Sequence, residues 1–293
     1  CLLKALMDSR RSLGVEIVAA NLDHCLRGKE STRDSKFVKE LCGRFGVELV
    51  SGKINIKKVK AKDVSTEEEA RKRRYDFLKK AAGEKSCNVI ATGHTMDDQA
   101  ETVLLRIMHG ASLSGLSGIP PVRIEEGFRI VRPLIRFEKS EILAFLGLSG
   151  LGHVEDSSNL DTKFRRNRIR REIIPFLAKY NPKIKRSLAN LADSLREDLM
   201  YLDVKRRENV DEWRGKDGIK IKDLVSLQAS VQREIFKELF RSAGGNIKKL
   251  TYRHWMDVDR FIKFSDARKS LDLPGGVKVS RTRDGLVFGK TRY

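Results

Sequence analysis

Short apolar runs alternate with amphipathic stretches along the first half of the chain. VEIVAANL (15–22), VELVSG (47–52) and NVIAT (88–92) have the length and β-branched content of strands. Around them, residues 2–10, 30–45, 65–83 and 96–108 place apolar side chains at helical spacing. Ser65 and Glu68 stand at capping-box spacing at the head of the 65–83 helix. Strands that alternate with helices need crossover connections, so the pattern predicts βαβ units, a parallel sheet and an α/β fold.

From about residue 183 the period changes. Leu188, Leu191, Leu195, Leu199 and Leu202 recur at spacings of three and four, which predicts one long amphipathic helix. A second helix is expected over 231–245, ending in a glycine pair suited to a C-cap. Residues 270–290 alternate around Pro-Gly-Gly and Asp-Gly and read as a hairpin. Two domains are therefore expected, 1–180 and 181–293, meeting near Asn181-Pro182. The first is α/β; the second is a smaller, mainly helical module with a short β-hairpin. The leucine stripe is expected to pack within its own domain, with homodimerisation as the alternative use of the same face.

Charge changes the picture. The 293 residues hold 60 Lys and Arg against 40 Asp and Glu, a formal net charge of +20. Such a surplus favours a polyanionic partner, because each neutralised phosphate releases counterions. Distribution argues the same way against a merely Lys-rich surface: residues 161–186 carry ten basic and two acidic side chains. No apolar run approaches the ~18 residues of a membrane span. The four cysteines form no CxxC, which excludes a zinc ribbon and suits a reducing, cytoplasmic location.

Ligands of an open parallel sheet bind at the carboxyl ends of its strands. The first strand runs into Asn21-Leu22-Asp23-His24-Cys25-Leu26-Arg27, and the strand at 88–92 runs into Gly93-His94-Thr95-Met96-Asp97-Asp98-Gln99-Ala100-Glu101. Asp98 and Glu101 share one helix face, where carboxylates can hold magnesium or a substrate ammonium group. Thr95 and Asp98 also have capping-box spacing, so Asp98 has a purely structural alternative. A zinc site from His24, Cys25 and His94 lacks standard spacing. Arg74 falls on the same stripe as Ala70, Phe77 and Ala81, which predicts an inward-facing arginine in need of an anion. Arg71, Lys72 and Arg73 read as a solvated face. The Gly- and Ser-rich segment 109–121 reads as a phosphate cradle or a lid.

Several blocks resemble a known family. ATGHTMDDQAETVLLRI (91–107), SGLSGIPP, Val131-Arg132-Pro133-Leu134, EDSSNLDTKFRRNRIRREIIPFL (155–177), NLDHCLRG (21–28) and EARKRRYDFL (69–78) are similar, in order, to the tRNA(Ile)-lysidine synthetases. The resemblance covers most of residues 15–180, and the helical module with its short tail is similar to compact members. It implies an N-type ATP pyrophosphatase (Rossmann-like) domain. It also implies an activity: ATP adenylates C2 of the wobble cytidine in the CAU anticodon of isoleucine tRNA, and the ε-amine of free L-lysine then displaces AMP. ATP and magnesium are the implied cofactors, tRNA and lysine the implied partners.

Carried onto this chain, the resemblance places Arg74, His94, Asp98 and Glu101 in the catalytic centre. Asp98 is the expected magnesium ligand, with lysine binding shared between Asp98 and Glu101, and Glu101 is the expected acceptor of a proton from the amine. His24 and Arg27 are expected to line the nucleotide pocket; Arg132, Arg166, Asn167, Arg168 and Arg170 are expected to meet phosphate or tRNA. Two departures stand out. The family's Ser-Gly-Gly-x-Asp-Ser loop would immediately precede CLLKAL, and a chain lacking it is expected to be inactive. His109 stands where many members place Arg. A tRNA thiolase of the same superfamily, or a non-catalytic tRNA-binding protein, is the alternative reading.

Overall fold

The computed structural model describes residues 1–26, 28–59, 65–154, 165–211, 219–283 and 285–290. Two compact units divide between Asp193 and Ser194. The first contains α1 (Leu2–Leu13), β1 (Val18–Asp23), α2 (Lys29–Phe45), β2 (Glu48–Lys53), α3 (Ile56–Val59), α4 (Thr66–Glu84), β3 (Val89–Ala91) and α5 (Met96–Met108). It continues through α6 (Leu113–Leu116), β4 (Val122–Glu125), β5 (Phe128–Val131), α7 (Lys139–Leu148), α8 (Arg165–Arg168), a π turn over Ile169–Ile173 and α9 (Ile174–Ala178). The long helix α10 (Ile184–Asp211) carries the division between the units.

The expected strand–helix alternation is present. β1 pairs with β2 in parallel, and β3 pairs with β5 in parallel. β4 and β5 are strands that the sequence reading passes over. They form an antiparallel hairpin in which Glu125 faces Phe128, and the two turn residues, Glu126 and Gly127, both take positive φ. Ser65 accepts from the Glu68 amide at the head of α4, as its spacing predicts. Gly52 on β2 has no room for a side chain, because a Cβ would lie 2.6 Å from the ring of Phe77; helix α4 packs that closely on the strand.

Near residue 180 the chain enters α10, and the first turns of that helix belong to the first unit. Leu188 and Ala192 pack with Ala100, Val103, Leu104, Ile169 and Ile174. A separate cluster of Tyr75, Ala82, Ile90 and Ile130 seats α4 on β3 and β5.

The second unit adds β6 (Ile219–Lys220), α11 (Ile221–Ser226), α12 (Ala229–Ser242), α13 (Tyr252–Phe264), β7 (Ser270–Leu273), β8 (Val277–Arg281) and β9 (Gly285–Lys290). Residues 270–290 form three antiparallel strands rather than one hairpin, and β6 joins the far edge. The reason lies in the two turn signals, each of which supports its own reversal. Phe236, Phe240, Val258 and Phe261 pack on Val277, Val279 and Leu286, with Leu202 against the same cluster. The leucine stripe thus reaches a core at both ends. Among the described residues no helix is long and apolar enough to cross a membrane.

Candidate active site

Three strands deliver polar side chains at their carboxyl ends. His24 follows β1, His94 follows β3 and Arg132 follows β5. Both ring nitrogens of His24 are buried without a hydrogen-bond partner among the described residues. Burial and then the Arg74 charge push its pKa down, against an opposing pull from Asp23.

Arg74 is more exposed than the stripe predicts, yet burial is the first cause that lowers its pKa, so its guanidinium is partly withdrawn from solvent. Phe77, one turn later, packs over Gly52 near the end of β2, and the Arg74 charge is close enough to His24 to lower its pKa. It makes no ion pair among the described residues. Arg73, expected to be solvated, instead pairs with the buried Glu69 at 2.7 Å. Arg71, read as solvated, is exposed and also lies 5.0 Å from the Tyr75 ring centre in a cation–π contact. The i, i+4 spacings Glu69–Arg73 and Arg71–Tyr75 were the available signals.

His94 is bonded through Nδ1 to the Thr92 hydroxyl at 3.0 Å. Burial is the first cause that lowers its pKa to about 4, and Arg132, Arg71 and Arg166 push the same way against Asp98. The imidazole is therefore neutral at pH 7. Arg132 is 3% exposed and donates to the Pro120 carbonyl at 2.6 Å. It buttresses the segment that precedes β4, while its Nε is buried without a partner.

Asp98 does cap α5. One of its oxygens accepts from the Thr95 amide at 2.9 Å and from the Thr95 hydroxyl at 3.0 Å. Its other oxygen faces Arg166 at 3.5 Å and Arg170 at 3.9 Å. Glu101, 0% exposed, accepts from Arg166 Nε at 2.9 Å, from Arg170 Nε at 2.6 Å and from Arg170 Nη2 at 3.1 Å. The RNRIR block therefore turns two arginines inward onto the α5 carboxylates, and Ile169 between them is buried. Arg168 is exposed and Asn167 half-buried. The π turn lies directly after Arg168 and before Pro175, whose missing N–H breaks the regular helical bonding. Arg27 lies outside the described residues.

The Gly-rich segment 109–121 is fastened to α5. Gln99 accepts from the Ile119 amide at 2.6 Å and donates to the Ile119 carbonyl at 3.3 Å. Gly118 takes φ +66°, and a Cβ there would meet Gln99 at 2.5 Å. His109 donates from Nδ1 to the Leu105 carbonyl and accepts from Arg165 at 2.9 Å.

The donor set discriminates between ions. Exposed Arg74 with unpartnered His24 suits an anion such as phosphate. Asp98 spends one oxygen on the helix cap and faces two guanidinium groups with the other, so it offers a divalent magnesium ion too few free oxygens, whereas a singly charged ammonium group needs only that one. Among the described residues no group of three or more His, Cys, Asp or Glu side chains is placed to hold a metal.

A parallel α/β unit with cations and imidazoles at its strand ends is the architecture of a nucleotide-binding protein. The chain belongs to the PP-loop domain family, whose model matches residues 1–177. It is 32% identical to the tRNA(Ile)-lysidine synthase of Clostridioides difficile (strain 630), over 98% of this chain and 63% of that one. To the tRNA(Ile)-lysidine synthase of Solibacter usitatus it is 33% identical, over 99% of this chain and 64% of that one. The similarity runs along nearly the whole chain, which spans a little under two thirds of those relatives' own length. In fold it is similar to the U34-tRNA thiolase NcsA from Methanococcus maripaludis, with a TM-score of 0.55, 17% identity and 67% of each chain covered.

Proposed function

We propose that this protein joins free lysine to C2 of the wobble cytidine of an isoleucine tRNA with a CAU anticodon, through an ATP-derived adenylate. The observation that carries the reading is a half-buried, neutral His94 that feels the negative charge of Asp98 together with the positive charges of Arg132, Arg71 and Arg166. Such a place accepts a phosphate and an ammonium group side by side. Pyrophosphate leaves as the C2 oxygen takes the adenylyl group of ATP, which makes that oxygen a good leaving group; the lysine ε-amine then forms the C–N bond at C2, AMP departs and the amine's proton passes to solvent.

Roles follow from what each side chain already does. Arg74 and His24 bind the nucleotide's phosphates. His94 donates or accepts a hydrogen bond without bringing charge. The oxygen of Asp98 that faces Arg166 and Arg170 receives a lysine ammonium group. Glu101 has both oxygens committed to guanidinium groups, so it positions Arg166 and Arg170 and does not take the amine's proton. Arg168 and Asn167 meet tRNA, and Arg132 holds the loop over β5. Magnesium enters with the nucleotide's phosphates, its usual mode of binding. The second unit, Ser194–Tyr293, binds tRNA, and the reaction is cytoplasmic.

The thiolase reading asks for sulfur or a cluster. Cys87 packs against the Tyr75–Ile130 core, and Cys25 sits in the turn after β1 with its amide on Asp23. Among the described residues no third ligand joins either. The adenylation half of the proposal is tested by pyrophosphate exchange: the exchange should require tRNA and proceed without lysine. Exchange that is independent of tRNA contradicts it.

A further inference from the structure

The helical run from Arg165 to Ala178 has two faces. Ile169, Ile173, Ile174 and Leu177 pack into the core. The opposite face leaves Phe176 54% and Tyr180 78% exposed, with their ring centres 5.4 Å apart at 62°. An edge-to-face pair leaves a ring face open to solvent, and neither ring adds to the core. Arg165, Arg168, Arg171, Lys179, Lys183 and Arg186 are exposed along the same stretch, with Glu172 the exposed acid among them. Two open aromatic rings inside a basic ridge are poorly suited to a protein partner, whose interface cores exclude lysine. They suit an RNA strand, whose phosphates meet the cations while an unpaired base lies on a ring.

We propose that Phe176 and Tyr180 form a stacking platform for one unpaired base of the RNA loop that carries the modified cytidine, with the flanking cations on its phosphates. The proposal rests on the tRNA reading above and adds where the loop is gripped. The platform begins at Phe176 on the same helical run as Arg166 and Arg170 and is completed by Tyr180 in the turn that follows, so it holds the loop beside the element that carries the arginines facing Asp98.

The test uses the full-length protein and a CAU anticodon stem-loop RNA, together with versions in which each loop nucleotide in turn is abasic. Phe176→Leu/Tyr180→Leu keeps apolar bulk on an exposed face. It should bind the intact loop about ten-fold more weakly, with an unchanged salt slope. Lys179→Gln/Lys183→Gln should instead flatten the salt slope. The aromatic exchange Phe176→Tyr/Tyr180→Phe should bind as wild type does. At one abasic position the wild-type protein should lose affinity while the double Leu protein loses none further. Equal affinity of the double Leu and wild-type proteins for the intact loop overturns the platform and leaves the tRNA reading standing. A wild-type protein that does not bind the loop at all overturns the tRNA reading with it. A dimer that the double Leu variant splits, with RNA affinity unchanged, makes this face an interface between copies and also overturns the platform.

Discussion

Glu101 on α5 and Arg170 on the π turn are joined twice, at 2.6 and 3.1 Å, and the carboxylate is sealed from solvent. Arg166 adds a third bond at 2.9 Å. Each guanidinium then faces Asp98, so one buried acid fixes two cations beside a second acid that is partly exposed. The bond to Glu101 is also the first cause that raises the Arg170 pKa. The pair is a device for holding charge in place.

Glu101→Ala should therefore destabilise the protein strongly. Removing one partner of a buried pair leaves uncompensated charge and costs about 3–5 kcal/mol. Urea unfolding followed by circular dichroism measures it; a loss below about 1 kcal/mol contradicts the buried clamp.

Arg74→Met should do the reverse. The side chain is exposed and makes no ion pair among the described residues, so stability should change by less than about 0.5 kcal/mol. ATP affinity should fall about ten-fold or more, the scale of a lost charge-assisted hydrogen bond. Calorimetric titration with ATP reads the second quantity and a thermal melt the first. An unchanged ATP affinity removes Arg74 from the nucleotide pocket.

Asp98→Asn keeps the shape of the side chain and leaves Thr95 able to accept from the position-98 amide. The stability loss should stay near 1 kcal/mol. The KM for lysine should rise about ten-fold while pyrophosphate exchange persists, because the variant removes the charge facing the amine and not the phosphate ground. Loss of exchange with an unchanged lysine KM assigns Asp98 to the nucleotide instead.

His94 makes stability pH-dependent in a defined window. Its folded pKa, about 4, lies below the unfolded value near 6.5, so the unfolded chain binds the extra proton between those values. Its contribution is complete above pH 6.5 and is lost as pH falls toward 4. By pH 5 the loss reaches about 2 kcal/mol. His94→Gln should flatten the stability profile between pH 5 and 7 in urea melts. An equally steep profile in the variant assigns the acid sensitivity to other groups.

Much of this was legible in the sequence because it is local. The βαβ order follows from apolar period, and the Ser65 and Thr95 caps from spacing. The β4–β5 hairpin does not stand out in the sequence because Glu126-Gly127 is a less familiar form of the Asn-Gly turn. Helical phase puts Arg74 on the inward stripe but does not say where a helix outruns the sheet. Glu101 was expected to meet substrate, yet its partners lie 65 and 69 residues away, a pairing that no local pattern encodes. Likewise Tyr75 and Arg71 were hidden in a basic stretch that reads as solvated.

The most direct test of the central claim is incubation of the full-length protein with CAU-anticodon isoleucine tRNA, ATP, magnesium and radiolabelled lysine. Label should enter the tRNA only when every component is present, and nuclease digestion should release it as a modified cytidine. Pyrophosphate release without label contradicts lysine as the second substrate. A protein that binds the tRNA but releases no pyrophosphate and transfers no label contradicts the enzyme itself.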